Sequence, residues 1–189
     1  MHIIAGIYKK KTILTPKGFS TRPTSGRLRE TLFNMIQENI REAEFLDLFA
    51  GSGAMGLEAI SRGAKKTTFI DKQRECTQCM ERNVKTFGIE DRTEILQGDV
   101  ISWIEKLVKR GREFDLIFID PPYGMKRGEI AVSTYLLEVI DEGPLLRKGG
   151  MLFIEEDSSV QLSMTALDHL TLLSKRQIGR SQLWQYEKL

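Results

Sequence analysis

Several things are missing from this 189-residue chain, and each absence closes off a class of protein. No apolar run reaches the roughly 18 residues that a membrane-spanning helix needs. The opening MHIIAGIYKKK places its charges after a short apolar patch, the reverse of a secretory leader. A cytoplasmic protein with no membrane partner is expected. Cysteine is limited to Cys76 and Cys79, one C-x-x-C inside a charged helical pattern. A structural zinc site wants four ligands, and a redox pair sits at a strand end near the start of a βαβ unit. The two thiols therefore read as helix-face residues in a reducing compartment, and no metal is expected. There is no internal repeat and no low-complexity linker. A hydrophobic share of 41% with 29% charged residues is ordinary soluble composition, and the length suits one domain, 1–189, with a sizeable core.

Acid is absent from the first 29 residues, which carry Lys9, Lys10, Lys11, Lys17, Arg22, Arg27 and Arg29. These seven positive charges leave −5 for the rest of a chain whose net charge is +2. Such asymmetry suits a phosphate-binding arm on an acidic body; a solvated hairpin whose lysines bind nothing is the plain alternative.

The chain is organised around Phe45 to Ala64, FLDLFAGSGAMGLEAISRGA. Phe45, Leu46, Leu48 and Phe49 read as a strand covered on both faces. Asp47 interrupts them, and a carboxylate at a buried strand end needs a donor, either from a ligand or from a neighbouring loop amide. Gly51 and Gly53 permit positive φ and close approach to backbone, and a helical pattern follows to Gly63. Gly51, Gly53 and Gly56 match G-x-G-x-x-G, and Asp71 follows twenty residues after Gly51 at the end of TTFID. This combination marks a nucleotide site without saying which nucleotide.

Along the rest of the chain, His2 to Ile7 and Thr12 to Thr15 suggest a small N-terminal hairpin. Thr24 or Ser25 caps a helix carrying Leu28, Leu32, Phe33, Ile36 and Ile40 at helical spacing, with Arg22, Arg27 and Arg29 left outside. Residues 1–41 form this extension and 42–189 the core. Strands are expected at Thr67 to Ile70, Thr93 to Leu96 and Phe114 to Ile119, with helices at Gln73 to Phe87, Ser102 to Val108 and Ile130 to Ile140. Gly149 and Gly150 lead into a strand at Met151 to Glu155, and Leu170 to Leu173 with Leu183 to Glu187 close an antiparallel hairpin. The alternation predicts an α/β, doubly wound, mostly parallel seven-stranded sheet. Asp47, Asp71, Asp99 and Asp120 then fall at consecutive strand ends, lining one crevice, although Asp99 also suits a plain helix cap.

The tetrapeptide Asp120-Pro121-Pro122-Tyr123 decides the chemistry. Each proline holds the residue before it extended, and Pro122 brings no N–H. The Asp120 carboxylate and the Pro121 carbonyl are thus both available as acceptors for the two hydrogens of an exocyclic amine. Holding both hydrogens would aim the nitrogen at a methyl donor and stabilise the charge that develops. Tyr123 would stack on the base, worth roughly 1 to 3 kcal/mol. A rigid turn with a core tyrosine is the bland alternative, and a nicotinamide oxidoreductase is the rival for the glycine loop.

LDLFAGSGAMGLEAISRGA, FID, GD and DPPY resemble the motifs of class I S-adenosylmethionine-dependent methyltransferases that modify amines. RPTSGRLRETLFNMI with HIIAGIYKKKTIL resembles the N-terminal signature of the bacterial methyltransferases acting on guanine N2 in small-subunit (16S) ribosomal RNA. The resemblance implies that Asp47, Gly51 and Gly53 hold the methionine part of the cofactor, Asp71 the ribose and Asp99 the adenine. Phe49, Ala50, Ser52, Lys72, Gly98 and Val100 complete that set, and Asp120 to Tyr123 hold the target base. It implies an arm, Lys9, Lys10, Lys11, Lys17, Arg22, Thr24, Arg27 and Arg29, that meets RNA in a nearly assembled subunit, and a monomeric enzyme. A DNA adenine or cytosine methyltransferase normally needs a recognition domain for which this length leaves no room. A protein-glutamine methyltransferase carries Asn where this chain has Asp120. A non-catalytic RNA-binding protein with the same fold is the rival from another class.

Overall fold

The apolar runs become strands and the amphipathic runs become helices. The computed structural model describes residues 1–16, 25–160, 162 and 167–189. In chain order these are α1 (Gly26–Met35), β1 (Glu44–Leu48), α2 (Ala54–Ser61), β2 (Lys66–Asp71), α3 (Arg74–Phe87), β3 (Thr93–Gln97), α4 (Val100–Lys109) and β4 (Phe114–Ile119). There follow β5 (Lys126–Arg127), β6 (Ile130–Ala131), α5 (Val132–Glu142), β7 (Leu146–Asp157), β8 (Leu170–Ile178) and β9 (Ser181–Lys188). Seven strands form one sheet in the order β3-β2-β1-β4-β7-β9-β8. The first five run parallel, and β9 is antiparallel to both β7 and β8. The chain moves outward from β1 to β3, then returns to β4 on the other side of β1. That reversal opens a crevice beyond the carboxyl ends of β1 and β4.

Strand residues alternate between two apolar cores. Phe45, Phe69, Phe118 and Phe153 face the side covered by α1, α2 and α3. Leu46, Ile70, Ile119 and Ile154 face the side covered by α4 and α5. Each fully buried side chain of this size contributes about 1.5 to 3 kcal/mol, so both faces must be covered. No described helix is long and apolar enough to cross a membrane.

The structure departs from the sequence expectations at several boundaries. The strand after α5 begins at Leu146, not Met151, and Gly149 and Gly150 lie inside it, where the pairing with β4 shifts register. Gly149 has φ +74°, which favours a residue without a Cβ. Helix α4 begins at Val100 because Asp99 caps it, its side chain accepting from the Ser102 amide (3.0 Å). The two-stranded hairpin β5–β6 takes up Ile130 and Ala131, so α5 starts at Val132 rather than at Ile130. Helix α1 is capped by Ser25, which accepts from the Leu28 amide (3.1 Å), and ends at Met35. Ile36 and Ile40 lie in the turns beyond it yet are buried.

The expected N-terminal hairpin forms as a short pairing: His2 bridges Thr12, the Ile3 amide donates to the Lys11 carbonyl (3.0 Å) and the Ile13 amide to the Met1 carbonyl (2.7 Å). Other backbone donors of this segment go to α2. Glu58, fully buried, accepts the amides of Ile4 (2.8 Å) and Ala5 (2.9 Å). The Ile7 amide donates to the Ser61 carbonyl (2.8 Å), and the Tyr8 amide to Ser61 Oγ (3.0 Å). Gly6 makes this approach possible. Its φ is +83°, and a Cβ there would lie 1.9 Å from the Ser61 carbonyl oxygen.

Gly6→Ala is expected to lower the unfolding free energy by about 2 to 4 kcal/mol, read by urea titration. Gly111→Ala, also at positive φ but with open space around its Cβ, should cost about 1 kcal/mol. Equal costs would mean that the arm is not seated on α2.

Candidate active site

The crevice is built on hydrogen bonds that hold its own loop. After β1, Phe49 adopts φ +61°, a left-handed conformation that costs a non-glycine residue roughly 1 to 2 kcal/mol. Gly51 and Gly53 follow at φ +56° and +77°. A Cβ on Gly51 would meet nothing within 4 Å, so this turn presents bare backbone to the crevice. The Gly53 amide donates to the Ala50 carbonyl (2.7 Å), and Gly53 caps α2. At Gly56 a Cβ would lie 2.3 Å from the Phe69 ring and 2.4 Å from the Thr67 methyl. Helix α2 therefore packs on β2 only because that side chain is absent.

Two aspartates fasten this turn. Asp47 is buried, and its Oδ2 accepts the Gly56 amide (3.0 Å). The donor is a first-turn amide of α2. Burial pushes its carboxyl up to about 8, partly offset by the Gly56 hydrogen bond and helped by the charge of Asp71. Asp71, at the end of β2, accepts the Gly51 amide on Oδ2 (2.8 Å) and the Gln73 amide on Oδ1 (2.8 Å). Each of its oxygens keeps a further lone pair. Lys72 beside it is exposed.

At the end of β3, Gly98 has φ +146°, and a Cβ would lie 2.8 Å from Trp103 Nε1. Trp103 Nε1 donates to the Gln97 carbonyl (3.0 Å), and the Gly98 amide to the Asp71 carbonyl (3.0 Å). Asp99 is half-buried and Val100 buried, and one Asp99 oxygen caps α4.

At the end of β4, Asp120 is half-buried, Pro121 buried and Pro122 exposed. The Pro122 carbonyl accepts the Met125 amide (3.0 Å), turning the chain into β5. Tyr123 is 48% exposed, so it is not a core aromatic. Its hydroxyl lies 3.2 Å from Ser181 Oγ at the start of β9. The structure thus brings together Asp47, the glycine turn, Asp71, Gly98, Asp99 and Asp120 to Tyr123 along one sheet edge. Lys126 and Arg127, exposed on β5, stand beside the tetrapeptide and were overlooked in the sequence, where the only signal was a basic pair after the prolines.

The basic arm is less uniform than its charge count suggested. Arg29 does not stay outside: it is 2% exposed. Its Nη2 donates to the His2 carbonyl (2.7 Å), its Nη1 contacts Met1 Sδ (2.9 Å), and its Nε lies 3.5 Å from Glu58 Oε2. The helical period explains this, since Arg29 precedes Leu32, Phe33 and Ile36 by three, four and seven residues and shares their inward stripe. Arg27 is exposed, as are Lys9, Lys10 and Lys11. Lys11 lies over the rings of Tyr8 (4.8 Å) and Phe87 (5.2 Å). Phe87 is the last of the 14 residues of α3, so these lysines stand about 21 Å, one helix length, from the crevice end of α3. Lys17, Arg22 and Thr24 lie outside the described residues.

Cys76 and Cys79 are buried free thiols. Burial, with the nearby Asp71, pushes Cys76 up to about 12, and Cys79 is raised by burial as well. Both stay protonated and unreactive at neutral pH. Among the described residues, no group of His, Cys, Asp or Glu has the arrangement to hold a metal ion.

The family model described as "Conserved hypothetical protein 95" matches residues 1–187. YlbH of Bacillus subtilis (strain 168) is 34% identical over 188 residues, covering 100% of this chain and 99% of the relative. "Ribosomal RNA small subunit methyltransferase D" of Buchnera aphidicola subsp. Acyrthosiphon pisum is 31% identical over 186 residues, covering 98% and 92%. Among solved structures, the Escherichia coli protein yhhF superposes with a TM-score of 0.83 at 28% identity, covering 100% of this chain and 97% of that one.

The raised Asp47 carboxyl has a measurable consequence. A group held protonated by the fold stabilises it fully below the ordinary carboxylate range. That stability is lost, by about 1.4 kcal/mol per pH unit, as pH rises toward the folded value, here about 8. Asp47→Asn retains an acceptor for the Gly56 amide without the titration. Urea unfolding from pH 5.5 to 8 should give a flatter profile for the variant and greater stability than wild type at pH 8. Parallel profiles would show that Asp47 is ionised throughout.

Proposed function

The chain belongs to the family described as Conserved hypothetical protein 95, and from that premise we propose that it methylates the exocyclic N2 amine of a guanine in small-subunit ribosomal RNA, using S-adenosylmethionine, on an assembling or assembled subunit in the cytoplasm. The observation that carries this reading is the Asp120 to Tyr123 turn at the carboxyl end of β4, adjacent in the sheet to β1 and its glycine turn. The Buchnera relative is named for action on small-subunit ribosomal RNA.

The crevice suits the cofactor on its own terms. Gly51 offers backbone with nothing over its missing Cβ, and Asp71 at the β2 end retains acceptor capacity where a ribose would lie. Asp71, Asp99 and the turn from Phe49 to Gly53 would hold S-adenosylmethionine, with Lys72, Gly98 and Val100 flanking. Bound there, it supplies a methyl group on a positively charged sulfur. Asp120 and the Pro121 carbonyl accept the two amine hydrogens, so that the nitrogen lone pair points away from them toward the donor. The Asp120 carboxylate also stabilises the positive charge that grows on the amine. Tyr123, exposed and tethered at Ser181, offers its ring to the base.

Incubation of small ribosomal subunits from cells lacking the protein with tritiated S-adenosylmethionine, followed by nucleoside analysis, tests the reading. Label is expected in N2-methylguanosine. Asp120→Ala should lower transfer at least 100-fold with S-adenosylmethionine affinity changed by less than about threefold. Label confined to DNA, to protein or to another base would defeat the proposal.

The arm predicts a separate effect. Replacing Lys9, Lys10 and Lys11 with alanine should weaken RNA binding and reduce the salt slope by roughly one unit for each phosphate no longer neutralised. The rate at saturating RNA should stay unchanged, because these lysines stand a helix length from the crevice. An unchanged slope in filter binding would move the RNA surface elsewhere.

A further inference from the structure

Glu155 and Glu156 end the β7 strand side by side, and the structure separates their roles. Glu156 belongs to the face covered by α5: Ser133 Oγ donates to its Oε2 (2.5 Å), and the Asp157 amide to its Oε1 (3.0 Å). Glu155 pairs across the sheet with Leu183 of β9, a member of the opposite core. It is 6% exposed.

Strand pairing fixes its neighbour. On β4 and β7, Phe118 pairs with Phe153 and Ile119 with Ile154. One residue further come Asp120, just past the end of β4, and Glu155, within β7. By the pleat both return to the face of Phe118 and Phe153, the face that also carries Asp47 and Asp71. Adjacent strands lie about 4.8 Å apart, and this register sets the two positions next to each other at the crevice end of the sheet. The tetrapeptide also spans this point. It starts at Asp120, just past β4, and is tethered through Tyr123 to Ser181 on β9, and β7 lies between β4 and β9.

We propose that Glu155 is a specificity-determining residue that accepts the N1–H of the target guanine while Asp120 and Pro121 hold its N2 amine. The inference rests on the guanine reading above. Guanine carries an N1–H donor directly beside its exocyclic amine. Adenine and cytosine carry an unprotonated ring nitrogen there, and its lone pair would face a carboxylate that can only accept. A second carboxylate next to the amine-holding one therefore admits guanine and repels the other two amine-bearing bases, and a site built around such a donor rejects analogues that lack it.

The test uses small subunits reconstituted with 2-aminopurine in place of guanine at the methylated nucleotide. This base keeps the N2 amine and lacks N1–H. Wild type should methylate guanine at least about 100-fold faster than 2-aminopurine in kcat/KM. Glu155→Gln, whose amide can either accept or donate, should narrow that ratio to below about tenfold by losing guanine activity and gaining 2-aminopurine activity, with S-adenosylmethionine affinity unchanged. A variant that loses both activities in proportion would overturn the inference, because a merely structural glutamate would act that way. Should the variant fail to bind S-adenosylmethionine, wild type decides alone, and equal use of the two bases overturns the inference. Label that falls in adenosine or cytidine defeats the guanine reading itself, whereas label in guanosine with an unaltered ratio in Glu155→Gln defeats only the role of Glu155.

Discussion

The close approach of α2 to the sheet at Gly56 is the packing constraint on which the other arrangements depend. With no side chain there, the helix lies against Phe69 and Thr67, and the Gly56 amide reaches the buried Asp47 carboxyl. Seated at that depth, α2 places its own start over the end of β1 and so shapes the glycine turn. It also presents Glu58 and Ser61 to the N-terminal segment, which bonds them through backbone amides of Ile4, Ala5, Ile7 and Tyr8. Crevice and arm are thus organised by one short helix, from opposite ends.

The strand-end acids look alike in sequence and behave differently in the fold. Burial favours the neutral form of Asp47, which serves the backbone. Asp71 uses one lone pair of each oxygen on loop amides and so ties the end of β2 to the turn after β1. Asp99 places one oxygen on a helix cap. What divides them is the supply of nearby backbone donors: a carboxylate beside a tight turn or helix start satisfies those amides first. Asp120 is followed by two prolines, which supply no amide donor.

Charge is divided between interior and surface in the same way. The arm carries seven basic residues in the sequence, but Arg29 is drawn into the interior by Glu58, the His2 carbonyl and Met1. A buried arginine is tolerated because its fork of donors is met by several acceptors at once. The lysines at positions 9 to 11 lie by the far end of α3, so any phosphates they meet are remote from the reacting base. Lys126 and Arg127 are the described basic pair beside the tetrapeptide, a position the chain reaches only because the Pro122 carbonyl turns it into the β5–β6 hairpin.

The sequence by itself determined the order and type of the main elements, the glycine turn and the row of strand-end carboxylates. Those features rest on local pattern: apolar runs, helical spacing, glycine and proline at turns. It also held the helical stripe that buries Arg29, which shares the spacing of Leu32, Phe33 and Ile36. Only the tertiary structure decided that the N-terminal segment would bond α2 as well as itself, since those bonds depend on Glu58 and Ser61, some fifty residues later in the chain, being held at the right depth. Only the sheet register, which pairs Ile119 with Ile154, brings the positions of Asp120 and Glu155 together. The two are far apart in sequence and become neighbours through strand pairing, and no local periodicity carries that information.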